Sequence, residues 1–295
     1  MSGDFQGIWD DCKAGAGVTC PPEEFVPGSG DGTDGNYLTP EQIASATNTP
    51  HLFGGSNLVD QLESAGLTWK AYMQSMPSVG SQDEYYPGIV QTANGPVNVK
   101  LYAQKHDPFM YFSDINSPGN PRLNNIVPLE GNLASDLQSG NVPNFVWISP
   151  DQCHDMHGMS PASAALVGLP KCGYPDSGLD HGAIKLGDQF LAKTVGQIKS
   201  SPVWQSSNSA IVITWDEDDY AGFAGTSTSP TGVGGVVLGG AHVPAIVIDS
   251  RGGGHVVDGD PTNHYNTLAT VEQLWNLGCL GQACASTSMA TLFSH

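Results

Sequence analysis

The sequence predicts an α/β protein, a layered sandwich with a mostly parallel central sheet and long loops. Short apolar segments of strand type alternate with longer segments whose apolar residues have helical spacing, and this alternation is typical of α/β folds. The chain is rich in Gly and Pro, with 37 and 21 residues, which indicates long loops. Its 295 residues suffice for one large core, so we expect a single domain over residues 1–295.

The N-terminal part has little periodic pattern at first and then predicts one helix–strand unit. We expect residues 1–50 to be loop-rich, with a surface loop at 28–35, where the sequence is GSGDGTDG. Residues 56–65 have helical spacing, with Ser56 as the N-cap and a glycine after the last turn. A strand is predicted over residues 67–73.

An aromatic loop with the sequence YAQKHDPFMYF follows. It contains Lys105 and His106, which together form a candidate pair for contacting a ligand. A lone Lys–His pair is more often part of an ordinary surface, and that alternative stays open.

A first chemical cluster follows a short apolar strand that is predicted over residues 145–149, FVWIS. The next eight residues are PDQCHDMH, and they include Asp155 and His157 among two aspartates and two histidines. Histidine and aspartate together suit a zinc or transition-metal site, or a proton-transfer pair. A single histidine is more often structural, but this grouping at a strand end favours function.

A second chemical cluster follows the strand that is predicted over residues 210–214. This β-branched run, AIVIT, leads through Trp215 into four consecutive acids that begin with Asp216 and Glu217. The pattern predicts a buried parallel strand that leaves the sheet at a ligand-binding edge. Crowded carboxylates repel one another unless a cation lies among them, and a hard divalent cation is the usual solution. A solvated acidic turn is the alternative.

The elements between and after these clusters complete the α/β pattern. A long amphipathic helix over residues 179–200 fits a crossover between the strands at 145–149 and 210–214. Residues 225–240 are rich in Gly, Ser and Thr and predict a mobile loop beside the acidic cluster. A third buried strand is predicted within residues 242–249.

A helix is predicted over residues 263–278, and His264 lies at its start, where the helix dipole favours anions. His264 could also be a simple neighbour of the cap. Because parallel strands end at one edge of a sheet, we expect the strands that end at residues 149 and 214 to be parallel. We therefore expect His264, His157 and Asp216 to surround one cavity.

Charge and hydropathy exclude several kinds of partner. The net charge is −19, with ten Lys plus Arg, which argues against nucleic acid and anionic membranes as partners. No apolar run is long enough to span a membrane, and we expect no export signal in the chain as written.

The six cysteines form three local couples, and we expect each couple to be a disulfide. None of the couples has the spacing of a zinc site. Disulfides imply an oxidising compartment, so a secreted or extracytoplasmic location is predicted. Free structural thiols are the alternative. The couples are Cys12 with Cys20, Cys153 with Cys172, and Cys279 with Cys284.

Three stretches together resemble one known family. They are DMH at residues 155–157, TWDEDD at 214–219, and HYN at 264–266, which is followed by Leu268 and Glu272. In order and spacing they are similar to the phosphoesterase family of secreted acid phosphatases and phospholipase C-type enzymes, within the alkaline phosphatase superfamily. The stretches YAQKHDPF and SNLVDQLESAGLTWKAYM are also similar to that family. The resemblance covers most of residues 50–280.

The resemblance implies a fold of alkaline phosphatase type and metal-assisted hydrolysis of a small-molecule phosphoester, through a phosphoenzyme on Ser or Thr. A monoester is favoured as the substrate. Asp216 and Glu217 would bind a divalent metal ion, because phosphoryl transfer requires positive charge around the phosphoryl oxygens.

The resemblance also implies roles for the remaining candidates. Asp155, His157 and His264 would be catalytic and would hold phosphate, a second metal or the proton of the leaving group. Lys105 and His106 would bind the substrate.

The chain departs from the family pattern at its start. Family members open with a strand that ends in a Glu-Asn pair and then carry a His-Pro-Ser type segment with the nucleophile, and neither occurs in this sequence. We expect a family member without its first part, in which Ser2 and Thr19 are candidate substitutes. The alternatives are a catalytically impaired metal- or phosphate-binding member, a phospholipase C-type phosphodiesterase, and an acidic structural protein that binds calcium.

Overall fold

The structure is a computed structural model that describes residues 1–8, 10–21, 40–173, 182–216, 243–252 and 255–293. The chain divides into two compact units. We call Val59–Ser207 the central unit, and Met1–Leu58 together with Asn208–His295 the terminal unit. The predicted loops at 28–35 and 225–240 lie outside the described residues, as does Glu217.

The helices and strands confirm the predicted α/β character. None of the described helices combines the length and the apolar character that crossing a membrane requires. In chain order the elements are α1 (Pro40–Thr47), α2 (Leu58–Ser64), β1 (Trp69–Met73), β2 (Tyr85–Thr92), β3 (Gly95–Ala103), β4 (Ile126–Pro128), α3 (Leu129–Ser139), β5 (Phe145–Ser149), α4 (Pro161–Leu166), α5 (Gly182–Ser200), α6 (Pro202–Ser206), β6 (Ala210–Thr214), β7 (Ala245–Asp249) and α7 (His264–Leu274). Short 3₁₀ helices lie at Gln104–His106, Pro108–Tyr111, Pro121–Asn125, Pro170–Cys172, Gly281–Ala285 and Ala290–Leu292.

The central unit is built on a parallel sheet with the strand order β4-β1-β5. Strand β1 pairs in parallel with β4 and with the whole of β5, from Trp69 opposite Phe145 to Met73 opposite Ser149. Parallel strands deliver their carboxyl ends to one edge. The residues that follow β1 and β5 therefore meet at that edge, as the sequence predicts for a parallel central sheet.

One face of β1 packs under α3 and α5. Tyr72 is fully buried in a cluster with Val127, Leu133 and Leu137. Its hydroxyl donates to Asp136 on α3 over 2.6 Å, and Lys70, two residues earlier on the same face, approaches the same carboxylate oxygen at 2.7 Å. A buried tyrosine needs such a partner for its hydroxyl, so Asp136 ties α3 to the sheet.

The predicted aromatic loop packs against the opposite face of β1. It forms two short 3₁₀ helices, Gln104–His106 and Pro108–Tyr111. Trp69 stacks on Phe109, with ring centroids 4.9 Å apart and planes inclined by 11°. Trp147 on β5 meets Phe109 edge-on at 6.1 Å. Aromatic pairs of this geometry contribute beyond their buried area, and here they fix residues 104–111 against the sheet.

The antiparallel hairpin of β2 and β3 was not predicted. It pairs Tyr85 with Ala103 and closes at Thr92 and Gly95. Strand β3 leads directly into the 3₁₀ turn Gln104–His106. The hairpin therefore determines where His106 lies beside the edge of the parallel sheet.

Strand β6 was predicted to be a buried strand with parallel neighbours, and this prediction is wrong. Strand β6 pairs with β7 in antiparallel register, from Ala210 opposite Asp249 to Thr214 opposite Ala245. Val212 on β6 and Ile246 on β7 are 44% and 49% exposed, so neither strand is buried as expected. A β-branched run predicts a strand, but it does not specify the direction of the partner.

The three predicted disulfides are confirmed. The Cα atoms of Cys12 and Cys20 lie 6.4 Å apart, and those of Cys279 and Cys284 lie 5.0 Å apart. The bridge between Cys153 and Cys172 is fully buried and belongs to the central unit.

The contact of Asp136 with Lys70 and Tyr72 predicts that the fold becomes less stable in acid. Burial alone would raise the pKa of Asp136, but hydrogen bonds from Lys70 and Tyr72 outweigh burial and hold this pKa below its ordinary value. A lowered carboxyl pKa stabilises the fold at neutral pH, and this stabilisation is lost as the pH falls through the folded-state pKa. We expect Asp136→Asn to lower the free energy of unfolding by about 1–3 kcal/mol at neutral pH and by much less in strong acid.

Urea denaturation at the two pH values measures this difference. Asp188→Asn, at an exposed position of α5, is the matched control and should change little at either pH. An Asp136→Asn effect that is equal at both pH values would contradict the role of the charge.

Candidate active site

The loop after β5 is held by backbone hydrogen bonds to three neighbouring segments. The Asp151 amide donates to the Gln74 side chain beyond β1 over 3.1 Å, and the Gln152 amide donates to Leu101 of β3 over 3.0 Å. Met159 closes the loop through its amide, which donates to the Cys172 carbonyl over 3.0 Å. These bonds place the loop at the carboxyl edge of the parallel sheet.

Asp151 lies at the centre of this loop, and its side chain is 2% exposed. Its Oδ1 accepts hydrogen bonds from the amides of Cys153 and His154, at 3.1 and 3.2 Å, and lies 2.7 Å from His154 Nδ1. Its Oδ2 accepts from the Ser75 hydroxyl over 2.7 Å. A buried carboxylate requires such partners, and these four donors tie the loop to the end of β1.

The loop brings Asp155 and His157 together with His106 from the 3₁₀ turn after β3. Asp155 Oδ2 lies 3.2 Å from His106 Nδ1, and Asp155 Oδ1 accepts from the His157 amide over 2.8 Å. The rings of His106 and His157 are 6.2 Å apart between centroids. The side chains of His106 and Asp155 are each 19% exposed. We call these three residues the imidazole cluster.

The turn between Asp155 and His157 depends on an unusual backbone conformation and on close packing by α5. Met156 has a φ of +80°, a left-handed conformation that few residues other than glycine adopt. Helix α5 approaches the turn at Gly187, where an added Cβ would lie 2.6 Å from the Met156 side chain and 3.0 Å from the His154 carbonyl oxygen. Gly187 therefore lets the helix cover the turn.

The two residues that are predicted to bind the substrate lie on the 3₁₀ turn that ends beside the buried Asp107. Lys105 and His106 are both partly exposed, and the described contact with the loop is made by His106. Asp107 is fully buried and accepts from the Phe109 amide over 3.2 Å, but no described residue binds its Oδ2. Burial raises the pKa of Asp107 to about 7, although backbone hydrogen bonds from Phe109 and Met110 oppose this rise.

His264 and Asp216 come together in the terminal unit. Asn263 caps α7, because its side chain accepts from the Tyr265 amide over 2.9 Å and its own amide donates to Asn266 Oδ1 over 2.8 Å. This capping places His264 in the first turn, where its Nε2 donates to the backbone carbonyl of Asp216 over 2.9 Å. The predicted metal ligand Glu217 lies outside the described residues.

The imidazole cluster belongs to the central unit, whereas His264 and Asp216 belong to the terminal unit. Each group is defined by contacts within its own unit. A common cavity lined by His264, His157 and Asp216 stays a prediction, as does the parallel alignment of the strands that end at residues 149 and 214.

A divalent cation at Asp216 stays a prediction, because the second predicted ligand, Glu217, lies outside the described residues. His264 binds the carbonyl oxygen of Asp216, and the carboxylate oxygen is the type of ligand that a hard divalent cation prefers. In the described part of the chain, one group of metal-ligand side chains lies close together, formed by Asp10, Cys12 and Cys20. Those cysteines are joined in a disulfide, and disulfide sulfur is not a thiolate ligand.

Sequence reasoning left Asp107, Asp151 and His154 without a role. Asp151 and His154 belong to the same strand-end grouping as Asp155 and His157, so the signal was present, but a sequence does not reveal which carboxylate holds which imidazole. Asp107 follows His106 directly, and its burial could not be inferred from its charge.

The fold and the site define a layered α/β protein of alkaline phosphatase type, with imidazole and carboxylate groups at the edge of its parallel sheet. The chain belongs to the Phosphoesterase family, whose profile matches residues 10–168 and 174–278. The resemblance stated from the sequence is thereby confirmed.

Several curated relatives are similar to this chain. A phosphatidylinositol-3-phosphatase of Mycobacterium tuberculosis is 28% identical over 241 residues, which are 80% of this chain and 58% of that protein. A probable acid phosphatase of Kluyveromyces lactis is 24% identical over 77% of this chain and 43% of its own length. A phosphate-repressible acid phosphatase of Penicillium chrysogenum is 23% identical over 77% and 44%. The chain thus spans about half the length of these relatives.

Two glycines of α5 provide a matched test of how the helix covers the turn. In a helix, Gly→Ala ordinarily stabilises by about 1 kcal/mol, and we expect this gain for Gly196→Ala, because an added Cβ there meets nothing within 4 Å. We expect Gly187→Ala to lower the free energy of unfolding by about 1–3 kcal/mol, because its methyl group overlaps Met156 and the His154 carbonyl. Chemical denaturation measures both, and equal stabilisation by the two variants would refute the contact.

The buried Asp107 should affect the stability of the fold with the opposite pH dependence. Its ionisation at higher pH destabilises the fold, whereas the ionised Asp136 stabilises it. The pKa of Asp107 in the folded state, about 7, exceeds the unfolded value of about 3.9, so ionisation destabilises the fold increasingly as the pH rises from about 4 to about 7. We expect Asp107→Asn to stabilise the protein above about pH 7 and to have little effect near pH 4. Denaturation curves at both pH values test this, and a gain that is independent of pH would show that burial of the charge is not its cause.

Proposed function

We propose that the protein is a phosphoester hydrolase that acts on phosphomonoesters as an acid phosphatase. The observation that carries the proposal is the imidazole cluster of His106, Asp155 and His157, held at the carboxyl edge of a parallel sheet. Ligands bind at such edges in α/β proteins. Relatives that are named phosphatases, two of them acid phosphatases, support the same class and favour monoesters over the diesters of the phospholipase C alternative.

The chemistry of the cluster suits a phosphoryl group. Such a group carries negative charge on several oxygens, and catalysis requires donors that are positioned around them. The Asp155 carboxylate lies 3.2 Å from Nδ1 of His106 and orients this ring. The His157 ring, 6.2 Å away, provides a second imidazole, so two rings can approach one phosphoryl group. Lys105, next to His106 in the sequence, would contribute a positive charge.

A divalent cation held by Asp216 and Glu217 is part of this proposal. When bound, it would supply positive charge of the kind that phosphoryl transfer requires. His264 would hold its proton at Nε2, which already donates to the Asp216 carbonyl, and would thereby fix the first acidic residue next to the start of α7. The three disulfides support a location outside the cytoplasm, because such bonds persist in oxidising compartments.

Hydrolysis of p-nitrophenyl phosphate by the full chain, with a series of divalent cations, tests the proposal at acidic pH. We expect turnover of this monoester to exceed that of bis-p-nitrophenyl phosphate. Loss of a group that transfers a proton or stabilises charge costs about 10²-fold or more, so His157→Gln and Asp155→Asn should each lower kcat/KM by about that factor.

Asp188→Asn is the control for these two variants, since Asp188 is an exposed residue of α5. Phosphate binding without turnover in the wild-type protein would favour the alternative of a catalytically impaired binding protein. Turnover that is unaffected by His157→Gln would contradict the assignment of the imidazole cluster.

A further inference from the structure

The loop after β5 contains a second carboxylate–imidazole pair besides the imidazole cluster. Asp151 Oδ1 lies 2.7 Å from His154 Nδ1. The Asp151 side chain is 2% exposed, whereas that of His154 is 19% exposed. One partner is therefore buried in the fold, and the other partner reaches solvent.

The surroundings of Asp151 determine which nitrogen of His154 carries the proton. Both carboxylate oxygens already accept hydrogen bonds, Oδ1 from two backbone amides and Oδ2 from the Ser75 hydroxyl. A carboxylate used in this way acts as an acceptor, so Nδ1 of His154 must donate to it. In the neutral ring, Nε2 then bears the lone pair. Within the described ranges no residue forms a hydrogen bond to this Nε2.

The His154 ring is held by Asp151 and packs against α5. The ring contacts Phe190 of α5, with centroids 5.8 Å apart, and the backbone of His154 lies under Gly187. Ser75, which donates to Asp151, has a φ of +62°, and its amide donates to Glu130 over 3.2 Å. A non-glycine residue in this conformation persists when its surroundings hold it. A fixed imidazole with an available lone pair is the arrangement that a general base requires.

We propose that His154 is a further catalytic residue, which accepts a proton from the water that attacks the phosphorus, and that Asp151 is its positioning residue. One O–H bond of water breaks, and its proton goes to Nε2 while the water oxygen bonds to phosphorus. The bond from phosphorus to the leaving oxygen breaks, and that oxygen keeps the electron pair and takes up a proton from solvent. Nε2 then releases its proton to solvent. This inference rests on the proposed phosphoester hydrolysis.

The pair itself is tested by long-range ¹⁵N–¹H NMR on the full-length chain. We expect the neutral ring of His154 to carry its proton on Nδ1 in the wild-type protein and to lose this preference in Asp151→Asn. A proton on Nε2 in the wild-type protein would overturn the inference.

The catalytic role is tested by the kinetics of p-nitrophenyl phosphate hydrolysis. We expect His154→Gln to lower kcat by about 10²-fold. Asp151→Asn should also lower kcat, because Asp151 positions His154 and the rest of the loop. Added imidazole should restore part of the rate of His154→Gly, which a merely structural histidine would not allow. His255→Gln, at an exposed position, is the matched control.

The outcomes separate this inference from the proposed function. A wild-type protein that hydrolyses the monoester, together with a His154→Gln variant within a few-fold of its rate, overturns the inference alone. A wild-type protein that hydrolyses no phosphoester overturns both. If Asp151→Asn fails to fold, as judged by circular dichroism, then His154→Gln and the imidazole rescue of His154→Gly still decide the question, since His154 is partly exposed.

Discussion

The hydrogen bonding of the buried Asp151 carboxylate is the interaction on which the site depends. Burying a charge without partners is unfavourable by several kcal/mol, and the fold satisfies this one with two loop amides, the ring of His154 and the hydroxyl of Ser75. Because Ser75 follows β1 and the amides follow β5, the carboxylate fastens two strand ends together. The positions of Asp155 and His157, a few residues later, follow from that attachment.

The remaining constraints act on the same loop from outside. The buried bridge between Cys153 and Cys172 fixes its course, and α5 covers its turn at Gly187. The aromatic stack of Trp69 on Phe109 holds the segment that contributes His106. Sites held within a fraction of an ångström require such support from neighbouring groups. In this protein the support comes from the bonds within the loop itself and from the core of the central unit.

Much of this organisation could be predicted from the sequence, and the failures have physical causes. The strands at 145–149 and 210–214 have the predicted bounds, because β-branched runs that end in polar residues specify a strand locally. The cysteine couples were identified from short spacing. The antiparallel pairing of β6 could not be predicted, since strand direction is decided by distant partners. The roles of Asp151 and Asp107 depend on their burial, which sequence patterns of charged residues do not reveal.

The central claim is that the loop after β5 and the turn after β3 together hold a phosphoryl group. A crystal structure with vanadate, which mimics phosphate in its transition state, tests this claim most directly. We expect vanadate oxygens about 3 Å from ring nitrogens of His106 and His157. Vanadate bound at another surface, with both rings contacting only solvent or protein, would contradict it.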